Sequence, residues 1–311
     1  MKIVIVGPGA MGLLFGAFFL RSGEDVYFLD KDKKRAKILR RKGICVEGLS
    51  NFVIEEIKVT TEVKEIGKAD LIIITTKSYS TESAIKSVLP ILDEYISILT
   101  LQNGLGNVEI ISRYVPQKQI IAGVTGEGAT LIDIGYIRHA GRGETIIGAI
   151  SKIKNQKLKL KDIAGLFNRA GFQTKITSDV EGLLWSKLIV NVGINALTAI
   201  TRLNNGRLLE FPFTRKIMRE VVKEAYRVAK KKKIKLLYPN PIEKVEEVCR
   251  KTYGNISSML QDVLKKKKTE IDFINGAIVK EGERLGISTP INAILTDLVK
   301  TIESSYHLQV N

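Results

Sequence analysis

The sequence predicts an α/β domain followed by an all-helical domain, with the boundary near Thr177. Three observations carry this expectation. The first half of the chain alternates short apolar runs with helical patterns, as βαβ units around a parallel sheet do. A glycine-rich turn, Gly7 to Gly12, joins the first apolar run to the first helical pattern. From Ser178 onward the apolar residues keep a helical period only.

Taken in order, Lys2–Val6 predicts a strand, Met11–Ser22 a helix stopped at Gly23, and Asp25–Leu29 a second strand. Leu71–Thr75, Ser97–Leu101 and Ile120–Val124 are short, wholly apolar runs of the kind buried in parallel sheets. Ile137–Ala140 and Glu144–Ile147 flank Gly141-Arg142-Gly143, which predicts a hairpin closing the sheet. Helical stretches follow over Val180–Ile200, Thr214–Lys235 and Ile242–Lys265. Ser178 or Asp179 suits the N-cap of the first, with Glu181 adding negative charge to its opening turn. The 311 residues suffice for two such domains, 1–177 and 178–311.

Composition narrows the chemistry. At 44% hydrophobic and 26% charged, the chain can bury two cores. Two cysteines, Cys45 and Cys249, exclude a disulfide framework, and no Cys/His cluster suggests a metal. With His139 and His307 as the only histidines, acid–base work falls to Lys, Glu or Asp. The net charge of +16 divides equally, +8 in residues 1–177 and +8 in 178–311. Its densest runs, Lys31–Arg41, Lys152–Lys161, Lys230–Lys235 and Lys265–Lys268, read as solvated faces that favour anionic small molecules. No nucleic-acid partner is expected. No apolar run reaches the ~18–20 residues a bilayer crossing needs, so no membrane partner is expected either. Gly7-Pro8-Gly9 breaks the N-terminal run too early for a signal peptide, so the expected compartment is cytoplasmic.

Gly7-Pro8-Gly9-Ala10-Met11-Gly12 is a GxGxxG that follows a strand and opens a helix. Gly7 permits the tight turn, Gly9 lets a pyrophosphate reach the backbone, and Gly12 lets helix and sheet pack closely. This makes the first domain a Rossmann-type dinucleotide site. Asp30, 18 residues after Gly12, stands where a carboxylate accepts from the adenosine ribose hydroxyls and repels a 2′-phosphate, which favours NADH. Lys31, Lys33, Lys34 and Arg35 follow at once and could hold that phosphate, which would admit NADPH. Further on, Lys187, Asn191 and Asn195 recur every four residues, so each step turns ~40° and all three share one stripe of an apolar helix. Buried polar groups of this kind need partners or a ligand. Glu270 is a carboxylate able to orient such a lysine; Asp272 serves as well on these grounds.

Together these residues resemble the ketopantoate reductase family over nearly the whole chain. The likeness is carried by the glycine turn, Lys77, Gln102-Asn103-Gly104, the Lys187/Asn191/Asn195 block, Asn255-Ile-Ser-Ser-Met-Leu-Gln-Asp and Thr269-Glu270-Ile-Asp-Phe-Ile-Asn-Gly. The resemblance implies a 6-phosphogluconate-dehydrogenase-like architecture. It also implies NAD(P)H-dependent reduction of ketopantoate to (R)-pantoate, a step toward pantothenate and coenzyme A. By that likeness Lys187 is the general acid and Glu270 orients it. Asn103, Asn191, Asn195, Asn255 and Ser258 bind substrate, and Asn103 and Lys77 also lie beside the nicotinamide. Where the family often has an arginine for the 2′-phosphate, this chain has Asp30-Lys31. A second reading is another 2-oxo acid reductase of the same group; a third is a nicotinamide-dependent sensor without turnover. The apolar helical domain leaves room for a homodimer.

Overall fold

The computed structural model describes residues 1–151 and 154–308, so the basic run Lys152–Lys161 lies partly outside the described residues. The chain forms two compact units, Met1–Gln102 with Asn107–Val180, and Asn103–Gly106 with the residues from Glu181 onward.

The first unit runs β1 (Lys2–Val6), α1 (Ala10–Arg21), β2 (Asp25–Leu29), α2 (Lys33–Lys42), β3 (Ile44–Gly48), β4 (Phe52–Ile54), β5 (Lys58–Thr60), β6 (Leu71–Ile74), α3 (Thr81–Val88) and β7 (Ser97–Thr100). It continues with α4 (Asn107–Ser112), β8 (Ile120–Thr125), β9 (Gly128–Asp133), β10 (Tyr136–Gly141), β11 (Thr145–Ala149), α5 (Lys154–Arg169) and β12 (Thr174–Ile176). Strands β5-β2-β1-β6-β7-β8 lie side by side and parallel, the order of a Rossmann sheet. β11 joins antiparallel to β8, and β12 pairs parallel with β11. Alternate strand residues serve opposite faces. Ile3, Ile5, Leu71, Ile73, Leu99 and Ile121 enter one core, while Val4, Val6, Ile72, Ile74, Ile98 and Ile120 enter the other. Aromatic rings fill the first core: Phe15 meets Phe167 edge-on at 5.5 Å and Phe172 at 5.0 Å.

The expected hairpin is not formed. β10 belongs to a separate four-stranded sheet, β4-β3-β10-β9, whereas β11 belongs to the large one. β10 takes its antiparallel partner from the segment before it, β9, through a turn at Gly135. Gly141-Arg142-Gly143 instead carries the chain from one sheet to the other. Gly143 packs so tightly there that a Cβ would come within 2.7 Å of the Gly126 carbonyl oxygen.

The second unit consists of α6 (Val180–Thr201), α7 (Pro212–Lys231), α8 (Pro241–Lys251), α9 (Ser258–Leu264), α10 (Asn275–Leu285) and α11 (Pro290–Ser304). Ile242–Lys265 is therefore two helices. The break at Thr252–Ser257 lets the Tyr253 and Asn255 carbonyls accept from the Gly206 and Asn205 N–H groups, after which Ser257 caps α9. By length and composition α6 could cross a bilayer, although interspersed polar residues keep it from being an uninterrupted apolar run. Yet 72% of its most apolar stretch is buried inside the fold, as in a core helix.

Polar ties lock the helices around α6. Glu224 of α7 is 3% exposed and accepts from the N–H groups of Ile291 and Asn292 and from Asn292 Nδ2, at 3.0, 2.9 and 2.8 Å. Its charge thus sits at the N-terminus of α11. Asn275 Nδ2 donates to Asn292 Oδ1 at 3.1 Å and to the Val192 carbonyl of α6 at 3.4 Å. Replacing Glu224 by Ala takes away the acceptor of three N–H bonds, two of them from buried Asn292, whose Nδ2 keeps only the Val221 carbonyl at 3.2 Å. It should lower the unfolding free energy by roughly 3 kcal/mol, measured by denaturant titration; a loss under ~1 kcal/mol would show that the donors find other partners.

Candidate active site

The turn after β1 is shaped by its glycines for different reasons. Gly7 has φ +86°, and a Cβ there would lie 2.5 Å from Thr76 Cγ2 in the loop after β6. At Gly12 a Cβ would fall 2.6 Å from Thr75 Oγ1 and 2.7 Å from the Gly7 carbonyl oxygen. Both glycines are therefore demanded by packing. Gly9 is not: a Cβ would meet nothing nearer than the Gly7 carbonyl oxygen at 4.0 Å. Its side is open, and Gly9 N-caps α1 without any side-chain bond to the helix. Gly7, Pro8 and Gly9 thus shape the turn, and the first-turn N–H groups of Ala10, Met11 and Gly12 are those that could meet a pyrophosphate, at the switch point between β1 and β6.

The Gly7 N–H donates to the Leu29 carbonyl at 3.0 Å, which sets Asp30 beside the turn. The expectation of an open carboxylate at Asp30 needs correction. Its side chain is fully buried, and Arg35 closes over it, donating from Nε and Nη2 at 2.5 Å each. The Asp32 N–H adds a third bond at 3.0 Å. Asp32 also caps α2 by accepting from the Arg35 N–H, so the start of that helix aims Arg35 at Asp30. Lys31 is exposed, as are Lys33 and Lys34. Lys77, half-buried, stands just before the short turn Ser78–Ser80. A buried polar network holds that turn. Gln102 Nε2 donates to the Thr76 carbonyl and to Thr81 Oγ1, Thr81 donates to Asn107 Oδ1, and Asn107 Nδ2 donates to Ser78 Oγ.

In the helical unit Lys187, Asn191 and Asn195 do occupy one stripe of α6, half-buried at the first two positions and 5% exposed at Asn195. Burial pushes the Lys187 ammonium from its ordinary 10.5 down to about 8, and the nearby Glu270 charge opposes that fall. Asp272 is the less suitable partner for Lys187 because it pairs with Lys300 at 2.6 Å. Asn103 belongs to this unit too. The Leu105 N–H donates to the Phe273 carbonyl at 2.9 Å, and Gly104, at φ +82°, leaves no room for a Cβ, which would stand 2.3 Å from that carbonyl oxygen. Asn103 is thereby tied to the turn that begins at Glu270. Ser258 opens α9 half-buried, with Asn255 exposed just before it. Ser257 is a structural residue, bonding the Leu260 N–H at 3.1 Å and Thr198 Oγ1 at 2.6 Å. Among the described residues no cluster of His, Cys, Asp or Glu could hold a metal.

The ketopantoate reductase PanE/ApbA family model matches residues 3–152, and its C-terminal model matches 179–303. The chain belongs to the ketopantoate reductase family. It is 38% identical over 304 residues to a 2-dehydropantoate 2-reductase of Pyrococcus horikoshii, covering 98% of both chains. It is 35% identical to the one of Archaeoglobus fulgidus, over 97% of this chain and 98% of that one. Among solved structures, a ternary complex of D-mandelate dehydrogenase with NADH and anilino(oxo)acetate superposes with a TM-score of 0.92 at 28% identity, covering 99% of this chain and 100% of that one. A 2-dehydropantoate 2-reductase from Geobacter metallireducens gives 0.90 at 28% identity, covering 97% and 99%.

The charge of Lys187 is contested between burial and Glu270, and that contest is measurable. Lysine-selective acylation of Lys187, followed by mass spectrometry across pH, should show half-reaction near pH 8, since only the neutral amine reacts. Glu270→Gln removes the charge that supports the ammonium and should move the midpoint lower still. A midpoint near 10.5 would contradict the burial argument.

Proposed function

We propose that this chain reduces ketopantoate to (R)-pantoate with a reduced nicotinamide dinucleotide, a step in pantothenate and coenzyme A biosynthesis. The observation that carries the reading is the desolvated Lys187 beside the Glu270 charge, on a chain that family models cover in both halves. When bound, the reduced nicotinamide supplies a hydride to the ketone carbon. Negative charge then builds on the ketone oxygen, and Lys187 answers it by donating a proton. A pKa near 8 suits that role, because the ammonium is populated at neutral pH yet gives up its proton readily. Glu270 keeps enough of Lys187 charged for the next turnover. Asn191, Asn195, Asn255 and Ser258 are assigned to the substrate's hydroxyl and carboxylate, and Asn103 and Lys77 to the nicotinamide end. The glycine turn holds the pyrophosphate.

The cofactor follows from Asp30 and Arg35 taken together. An open carboxylate would have favoured NADH; with Arg35 clamped on it, the repulsion of a 2′-phosphate is largely cancelled. Both NADH and NADPH are used in this reading, with kcat/KM values within about tenfold of each other, or ~1.4 kcal/mol. A steady-state assay run separately with each nucleotide tests this, and a wider gap in either direction rejects dual use. The likeness to D-mandelate dehydrogenase favours a second reading, a reductase for other 2-oxo acids. Phenylglyoxylate turned over better than ketopantoate would establish that reading and overturn ours.

Lys187→Ala should lower kcat by ~10²–10⁴-fold while leaving nucleotide affinity within about threefold, because the nucleotide is held by the first unit. In the wild type, kcat/KM for reduction should decline as pH rises through about 8, the pH at which Lys187 loses its proton. A flat profile under conditions where chemistry limits the rate would remove Lys187 from the acid role.

A further inference from the structure

We propose that Arg35 determines how the enzyme discriminates between NADPH and NADH, by offering its guanidinium to a 2′-phosphate while withholding Asp30 from a 2′-hydroxyl. The proposal rests on reading the glycine turn as a dinucleotide site, in which the adenosine ribose meets the end of β2. At that end the two side chains are unequal. The Asp30 side chain is 0% exposed and that of Arg35 39%, so a ligand arriving from solvent meets the guanidinium first.

The donor and acceptor count gives the direction. A carboxylate has about four acceptor sites; on Asp30 three are taken, by Arg35 Nε, Arg35 Nη2 and the Asp32 N–H. A ribose hydroxyl therefore finds Asp30 nearly spent and covered. A guanidinium has five N–H groups, and Arg35 spends two on Asp30. The other three make no bond among the described residues. They lie in the plane of a fork already fixed by Asp30, which spares the entropy of ordering a long side chain on binding. A phosphate can thus be bound without opening the pair.

The neighbouring charges do not replace this fork. Lys31 and Lys34 are exposed, where ordering a long side chain costs entropy, and Lys33 leans toward Glu62 at 4.0 Å. The Asp32 carboxylate is occupied as the cap of α2. Arg35 alone combines a charge, a fixed plane and unspent donors at this point.

The test is direct binding of NADH and of NADPH, each by calorimetry without keto acid, to the wild type and three variants. Arg35→Ala should weaken NADPH at least tenfold and leave NADH unchanged or tighter, since Asp30 is then uncovered. Arg35→Lys, which keeps the charge and loses the fork, should fall between wild type and Arg35→Ala for NADPH. Asp30→Asn should shift the affinity ratio toward NADPH. Equal weakening of both nucleotides by Arg35→Ala, with the melting temperature held, would reduce Arg35 to a structural clamp and overturn the proposal. So would an unchanged ratio. A wild type that binds both nucleotides but fails to reduce ketopantoate would refute the substrate assignment while leaving these ratios to judge Arg35; a wild type that binds neither would refute both.

Discussion

The helical unit is governed by one constraint: α6 is too apolar to face water. Trp185, Leu188, Ile189, Val192, Ile194, Ala196, Leu197 and Ala199 are all buried. The helices that follow cover them with Met218, Val221, Val222, Val245, Met259, Ile274, Ile278 and Val299, among others. Any polar group on such a helix must be satisfied locally or left for a ligand. Ser186 and Thr198 show the first solution. The Ser186 hydroxyl accepts from the Leu237 N–H, the Ser186 carbonyl accepts from Tyr238, and Thr198 bonds Ser257. Asn191 and Asn195, on the stripe they share with Lys187, are the groups assigned above to the second. A lysine with a lowered pKa is thus a by-product of the same burial that folds the unit, moderated by the charge of Glu270.

The Rossmann-type sheet was legible because its signals are local. Short apolar runs, a glycine turn and the residue that follows β2 all lie within short windows of sequence. The helical unit was legible as a set of helices, since apolar period survives without knowing what each face meets. Glycine spacing also separated the turn from ordinary loops, although not the reasons behind it. Only the folded chain shows that Gly7 and Gly12 answer to Thr75 and Thr76, far along the sequence, while Gly9 answers to nothing in the protein.

What the sequence hid is pairing. Arg35 was visible as one of several basic residues, but its hold on Asp30 depends on where α2 begins, which Asp32 fixes through a single capping bond. Glu270 and Asp272 were equivalent as letters and separate because Glu270's charge reaches Lys187 while Lys300 claims Asp272. The hairpin expected around Arg142 failed for a related reason. The tight connection lay one strand earlier, between β9 and β10, while β11 went to the other sheet. Helix length suffered similarly, because the helical period runs from α8 into α9 while the backbone turns aside to bond the segment before α7.

The short segment Asn103–Gly106 changes what counts as half of this molecule. It leaves the first unit immediately after Gln102, joins the second, and returns at Asn107. A gene fragment cut at the covalent linker near residue 180 would therefore encode a helical body missing part of its own surface. The Phe273 carbonyl would lose the Leu105 N–H, and the hollow that only a glycine at 104 can fill would stand open next to the turn that carries Glu270. Circular permutation and domain grafting meet the same obstacle, since no single cut separates the two units. The chain is threaded, and its halves are divisible on paper at a place where the backbone does not divide them.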